Sequence, residues 1–430
     1  MRYKYIGFLC CCLVSNVLFA QTIADRVYAT NVKTPLLYQQ NNPLSLPVLQ
    51  LNSSDLLELH FDDLDANVKN YYYCYQLCNA DWQPAQVNTF DYIKGYLQQR
   101  LTQYRISSIA QVRYMHYQAT LPDKNCMPTK SGNYLLKVFL NGDTSQLVFF
   151  KRMYVLDRQA SIAASVVQPF SSKYFKTHQR LQMMVNLGKL NAVGVQQQVT
   201  TMVMQNNRCD KATINLQPTF VRENVLEFSG DLDCVFAAGK EYRWVDLRSL
   251  RLASERIASF NQMVIPVDVQ MRADYERQNS RYLFYPDFNG NFYIDGTENI
   301  NPHTQGDYGL VHFYYVPAGN QQLVGSEVHL MGAFTSNTLS DSSLMRYNTQ
   351  SGAYEKTLLL KQGFYSYAYA TKPMGSNRNI PTEALSIIEG DYWETENDYT
   401  VFVYYRSLSG RHDELVGMTT VNSRNQRIGN

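Results

Sequence analysis

Short apolar runs with a period of two recur along the whole chain. In the last hundred residues the runs 328–334, 354–360, 364–370 and 399–406 are separated by turn residues. Within one of them, Phe364, Ser366, Ala368 and Ala370 fall on one side and Tyr365, Tyr367 and Tyr369 on the other. Successive side chains of a strand point to opposite faces, so this alternation predicts strands. It also predicts a tyrosine-coated sheet, a surface made to be touched.

The same pattern divides the chain into three blocks. The first, residues 21–157, carries strand-like runs at 56–61, 70–77, 112–121, 134–140 and 147–156, with turn signals at Pro122-Asp123 and Asn141-Gly142-Asp143. Asn-Gly between apolar runs is a strong hairpin signal. Residues 89–105 stay undecided, because Ile93, Leu97, Leu101 and Tyr104 have helical spacing but Gly95 weakens it. The second block, 158–281, has runs at 162–167, 181–187, 198–205, 212–216, 225–228 and 242–247, with 248–260 open between a short helix and an irregular strand. The third, 282–430, opens with 282–288, Asn289-Gly290 and 291–294, which reads as a hairpin. A calcium loop through Asp287, Asn289, Asn291 and Asp295 is disfavoured, since its glycine comes one place too early. The expected fold is all-β, three immunoglobulin-like (early-set) β-sandwich domains in series.

Composition agrees with packed cores: hydrophobic residues make up 45% and charged residues 18%. Tyrosine is heavily used, 33 of 430 residues, and suits half-buried strands and contact surfaces alike. Residues 1–20 read as a signal peptide, with Arg2 and Lys4, an apolar segment 6–14, and Leu18-Phe19-Ala20 before Gln21. A lipoprotein site at Cys10, Cys11 or Cys12 fits less well, because Leu9 and Cys11 stand where a small residue belongs. No other run is long and apolar enough to span a membrane as a helix. Taking Arg2 and Lys4 from the 39 basic residues leaves 37 against 37 acidic ones, a balance that disfavours nucleic acid and anionic lipid as partners.

Export places the five remaining cysteines in a disulfide-permissive compartment. Cys209 and Cys234 form a possible bridge. Cys74 and Cys78, on one strand, stand roughly 13 Å apart and cannot bridge each other, but either could meet Cys126.

Motifs for chemistry are missing. Of the seven histidines, His60, His116, His178, His303, His312, His329 and His412, none lies within four residues of another, and there is no His-Glu-x-x-His pair. His116 and His329 fall inside strands, where a hydrogen-bonded structural role is expected. No nucleophile elbow, phosphate-cradling glycine loop or Cys-x-x-Cys site occurs. Glu389, Asp391, Glu394 and Glu396 form the densest acidic segment; paired carboxylates could serve glycoside hydrolysis, but this stretch reads as a solvated connection. The expectation is a non-enzymatic binder with no catalytic, metal or cofactor residues.

Two resemblances sharpen that reading. The third block resembles the early-set sandwich of glycogen- and starch-binding modules, through Val328-His329-Leu330-Met331-Gly332-Ala333-Phe334, Tyr354 and 360–367. Where those modules carry a sugar-stacking Trp this chain has Asn337, so the resemblance implies the fold more than the ligand. The whole mature chain resembles the type IX secretion system plug protein family. The matching pieces are Cys78-Asn79-Ala80-Asp81-Trp82, 91–96, 114–122, 130–134, Gln205-Asn206, 241–246 with 248–251, 287–294, Asp307-Tyr308, 360–367, 395–399 and 413–417. That resemblance implies a periplasmic protein, peripheral to the outer membrane, that docks on the translocon β-barrel and closes its periplasmic mouth when no cargo fills it. It supplies no catalytic residues and no interface map. The alternative function is a glycan-binding protein of a surface polysaccharide-uptake system.

Overall fold

The computed structural model describes residues 24–190, 192–232, 234–375 and 384–425. The expected signal peptide lies outside the described residues. The chain is nearly all strand, arranged as three sandwich units whose strand membership departs from chain order.

The first sandwich follows the sequence pattern closely. One sheet runs in the order Arg26–Val27, Leu147–Leu156, Gly132–Leu140, Tyr71–Cys78 and Gln99–Arg100, with Val48–Gln50 pairing Leu147–Leu156 in parallel. The other runs Val32–Gln39, Leu57–Asp63, Met115–Leu121, Gln103–Ile106. Alternation places Tyr71, Tyr73, Tyr75 and Leu77 inside. Across the core Phe61 meets Tyr71 edge-on at 5.0 Å and Phe149 at 5.1 Å between ring centroids. Asn141 and Gly142 both adopt left-handed backbone (φ 56° and 75°) at the centre of a tight turn closed by the Asp143 N–H on the Leu140 carbonyl at 2.9 Å, which opens the connection 141–146 from Gly132–Leu140 to Leu147–Leu156. The undecided segment 89–105 is extended after one short helical turn. Ile93–Gly95 pairs with Cys126–Pro128, and two further strands extend the sheet edges.

The second and third units correct the expected boundaries. The middle sandwich combines one sheet, Ser161–Val167, His178–Asn186, Val225–Phe228 and Phe220–Arg222, with a second, Thr213–Ile214, Val199–Gln205, Asp398–Tyr405 and Glu414–Asn422. The 399–406 run, read as a third-block strand, therefore pairs with Val199–Gln205 and completes the middle unit. Conversely, Arg243–Asp246, Ile257–Asn261 and Val267–Met271, read as second-block residues, belong to the third sheet, so no boundary falls at 281. The physical reason is that a strand's period reports its two faces and not its distant partner. In Asp398–Tyr405, Val401 and Val403 face the middle core while Phe402 and Tyr404 face the first sandwich, so both faces are apolar.

The third unit is a ten-stranded sheet in the order Arg243–Asp246, Gly363–Pro373, Ser326–Met331, Leu344–Asn348, Ala353–Lys361, Tyr308–Val316, Val267–Met271, Ile257–Asn261, with two short strands paired alongside. It curls until Phe313 meets Tyr367 at 5.2 Å and Tyr315 meets Tyr369 at 5.0 Å. Tyr365, Tyr367 and Tyr369 are thus core residues, each at most 1% exposed, and not a surface coat. Asn289 and Gly290 do form a left-handed turn, and Phe292–Ile294 is a strand, but it pairs with Gly363–Tyr365. Residues 282–288 are not strand, because Asp287 and Phe288 bond Tyr242 and Ser366 instead of a hairpin partner.

Candidate functional site

The chemistry-bearing side chains gather where the sandwiches meet. At the seam between the first and third units, Asp62 on Leu57–Asp63 and Lys361 at the end of Ala353–Lys361 are each 1% exposed, with Lys361 Nζ 2.5 Å from Asp62 Oδ2. The ammonium also donates to the His303 carbonyl at 2.6 Å and sits 4.1 Å from the centroid of the Tyr114 ring. Tyr308 Oη donates to Asp62 Oδ2 at 2.6 Å, and His116 Nδ1 lies 2.7 Å from Asp62 Oδ1. Burial alone would raise the Asp62 carboxyl, but the Lys361 ammonium and the His116 ring hold it below the ordinary carboxylate range.

Three histidines close this seam. His60 Nδ1 lies 3.1 Å from His116 Nε2, and His303 stacks on His60 with centroids 4.1 Å apart and planes 7° from parallel. One nitrogen from each ring falls within 4.8 Å of the others. Burial, then the neighbouring rings, pushes His60 down to about 2; burial, then His116 and Lys361, pushes His303 down to about 3. Sequence spacing gave no hint of the cluster. His60 and His116 are diagonal neighbours on one face of the paired strands, since the register sets Asp62 opposite His116 and His60 opposite Gln118. His303 arrives on the short helix Pro302–Gln305 of another unit.

The seam between the first and middle units is mostly apolar, with Tyr404 Oη donating to Asn133 Oδ1 and the Ala80 N–H to Asp413 Oδ2, both at 2.9 Å. Trp82, Tyr154, Met202, Met204, Phe402 and Leu415 pack together, with Tyr154 and Phe402 stacked at 4.7 Å. Cys209 lies here, 3.6 Å from Tyr154 Oη, whereas Cys234 packs among Leu181, Phe228 and Val203 in the middle core. These are opposite faces of Val199–Gln205, so the possible Cys209–Cys234 bridge is not formed, and all five described cysteines are free thiols. A cleft of about 130 Å³ opens where all three units meet, lined by Asp25, Tyr38, Arg152, Cys209, Asn291 and Asn337 among others. Asp25 is spanned there by Lys151 (2.7 Å) and Arg152 (2.9 Å).

The expected acidic connection is not simply solvated. Glu389 is buried and held by Arg243 through two 3.1 Å bonds and by Arg277, and it accepts the Tyr369 N–H at 2.9 Å. Asp391 caps the Gly239 N–H at 2.8 Å, and Glu394 is exposed. Glu396 is half-buried and accepts from Asn289 Nδ2 at 3.2 Å, so the four carboxylates serve separate surroundings rather than one acid–base pair. Asp287 is engaged by the Tyr242 and Asn289 N–H groups rather than turned toward a calcium loop. His329 keeps its structural role, with Nδ1 3.0 Å from Ser343 Oγ. For the glycan alternative, Tyr365, Tyr367 and Tyr369 are interior and Asn337 faces the inter-unit cleft, so none offers an open stacking platform.

These features define an all-β protein whose polar groups are used to join its own sandwiches. Among the described residues no helix is long and apolar enough to cross a membrane. Residues 32–157 match the family described as type 9 secretion system plug protein, 1st domain. A hypothetical protein from Parabacteroides merdae, known from its crystal structure, is 30% identical over 93% of this chain and 99% of its own, with a TM-score of 0.87. The chain belongs to the type IX secretion system plug protein family. Weaker likenesses are to trypsin-activated α2-macroglobulin from Escherichia coli (8% identity, 90% of this chain and 23% of that one, TM-score 0.17) and to dimeric latent PorU from Porphyromonas gingivalis (8%, 90% and 34%, 0.14). A search of curated proteins finds no match.

Proposed function

We propose that this chain is a non-enzymatic periplasmic stopper of type IX secretion, docking on the periplasmic mouth of the outer-membrane translocon barrel and blocking it when no cargo is present. The match of the first sandwich to the plug family carries the reading. Its physical support is stiffness. A stopper that resists diffusion needs bulk that does not hinge, and all three units are tied together. Beside the two seams above, Lys240 Nζ of the middle unit donates to the Arg277 and Ser280 carbonyls at 2.6 and 2.9 Å, and Asn289 Nδ2 reaches Glu396 at 3.2 Å. A stable docking surface needs upwards of about 1,000 Å², and release requires a competing partner to favour the undocked state.

Deleting the gene should leave the outer membrane permeable to bulky antibiotics that it normally excludes, with the barrier restored by the full chain. An unchanged barrier in the deletion strain would refute the stopper reading. Cross-linking in cells should capture the chain on an outer-membrane barrel.

A further inference from the structure

We propose that His60, His116 and His303 bind one borderline divalent cation of the zinc class, which staples the first sandwich to the third. Nothing in the plug reading requires this; the geometry of the seam does the pointing. Tetrahedral zinc with zinc–nitrogen bonds of about 2.0–2.1 Å holds its ligand nitrogens roughly 3.3 Å apart. His60 Nδ1 and His116 Nε2 already stand at 3.1 Å, and one nitrogen from each of the three rings lies within 4.8 Å of the others.

The donor set is oriented as metal-binding imidazoles are. The Asp62 carboxylate, ion-paired with Lys361, can only accept, so His116 Nδ1 carries the proton and Nε2 presents its lone pair. A carboxylate behind a ligating histidine fixes the tautomer and raises ligand basicity. Without a cation, His60 Nδ1–H donates to His116 Nε2; the cation takes the place of that proton, which passes by exchange with solvent to His60 Nε2, so the ring stays neutral. His60 Nε2 then has its own oddity: it is buried, has no hydrogen-bond partner, and faces the Glu58 carboxylate at 3.7 Å. The pair Asp62–Lys361 is neutral as a unit, so three neutral imidazoles with Glu58 nearby leave the pocket suited to positive charge.

His303 is the ring that must move. Lying flat on His60, its in-plane lone pairs run parallel to those of its neighbour and cannot converge with them. It is half-buried, sits on a single helical turn, and its Nε2 makes only a long 3.4 Å contact with Tyr38 Oη. Rotation about its side-chain bonds closes the triad, leaving the fourth position to water.

The test uses the full mature chain, expressed without a polyhistidine tag, stripped with a chelator and dialysed against zinc chloride. Elemental analysis should find one zinc per chain, and saturating zinc should raise the Tm by about 3 °C. Cobalt(II) in place of zinc should give the intense visible absorption of a tetrahedral site. All three signals should vanish in His303→Gln, whose fold is checked by circular dichroism, while His412→Gln leaves them intact. A second variant, His60→Gln, guards against a folding artefact. Substoichiometric zinc, or stoichiometric zinc unaffected by His303→Gln and His60→Gln, would overturn the proposal.

Discussion

Lys361→Met isolates the electrostatic part of the seam, because methionine keeps the unbranched apolar stem and removes only the ammonium. The change deletes the 2.5 Å bond to Asp62, the 2.6 Å bond to the His303 carbonyl and the cation–π contact with Tyr114. Asp62 is left as a buried carboxylate with Tyr308 Oη and His116 still bound. Breaking a buried pair from one side costs about 3–5 kcal/mol, and the two surviving partners place this case at the lower end, about 3 kcal/mol. A three-unit chain need not unfold in one step, so the readout must be local. Native-state hydrogen exchange on Leu57–Asp63 and Ala353–Lys361 should speed up by roughly two orders of magnitude. Exchange in His178–Asn186 of the middle sandwich should hold steady. The double variant Asp62→Asn with Lys361→Met should recover part of the protection, since it strands no charge and keeps an acceptor for Tyr308 Oη or His116 Nδ1. Less than a tenfold change in the single variant would refute the view that this pair closes the seam.

Glu389 supplies a pH test. Burial raises its carboxyl, but Arg243 and Arg277 outweigh that and hold it at about 2, below the ordinary 4.5. Its stabilisation is therefore complete above pH 4.5 and lost as the pH falls from there toward 2; acid titrations of Tm should show this decline in the native chain and a shallower one in Glu389→Gln. Gly95→Ala should cost at least about 1–3 kcal/mol, because Gly95 has φ +95° and a Cβ would fall 2.2 Å from the Asn125 carbonyl oxygen; urea denaturation reads the loss. Phe402→Ala should cost about 3–5 kcal/mol, measured as early exposure of the first–middle seam to proteolysis. Truncation before Asp398 should leave an insoluble chain, because it removes half of one sheet of the middle sandwich.

Local structure was well written in the sequence, and long-range membership was not. The Tyr71–Cys78 and Gly132–Leu140 strands and the Asn141-Gly142 turn follow from period and turn chemistry alone. The same alternation in Tyr365, Tyr367 and Tyr369 could not say which face is outward. Tyrosine suits both a wet surface and a core able to satisfy its hydroxyl, and here Tyr367 and Tyr369 donate to Asp274 at 2.8 and 2.9 Å inside the third unit. The return of Asp398–Tyr405 to Val199–Gln205 is settled by pairing across about two hundred residues, which no local signal encodes. Cys209 and Cys234 illustrate the same limit, being close in sequence but on opposite sides of a sheet.

The seams explain why buried charge is found in a protein with so few charged residues. Apolar contacts such as Tyr154 against Phe402 are non-directional, and at that seam the placement is fixed by packing and by hydrogen bonds such as Tyr404 Oη to Asn133 Oδ1 at 2.9 Å. The Asp62–Lys361 seam is fixed by charge. A shift of a few ångströms strands an ammonium and a carboxylate in the interior, so only one relative placement of the first and third units is accessible. Arg243, Glu389 and Asp274 impose the same constraint within the third unit, tying the 386–389 helix to two strands. The proposed stopper role would gain more from a fixed outline than from extra stability. Glu389, whose carboxylate the sequence offers for acid–base chemistry, is one of the groups that hold the outline fixed.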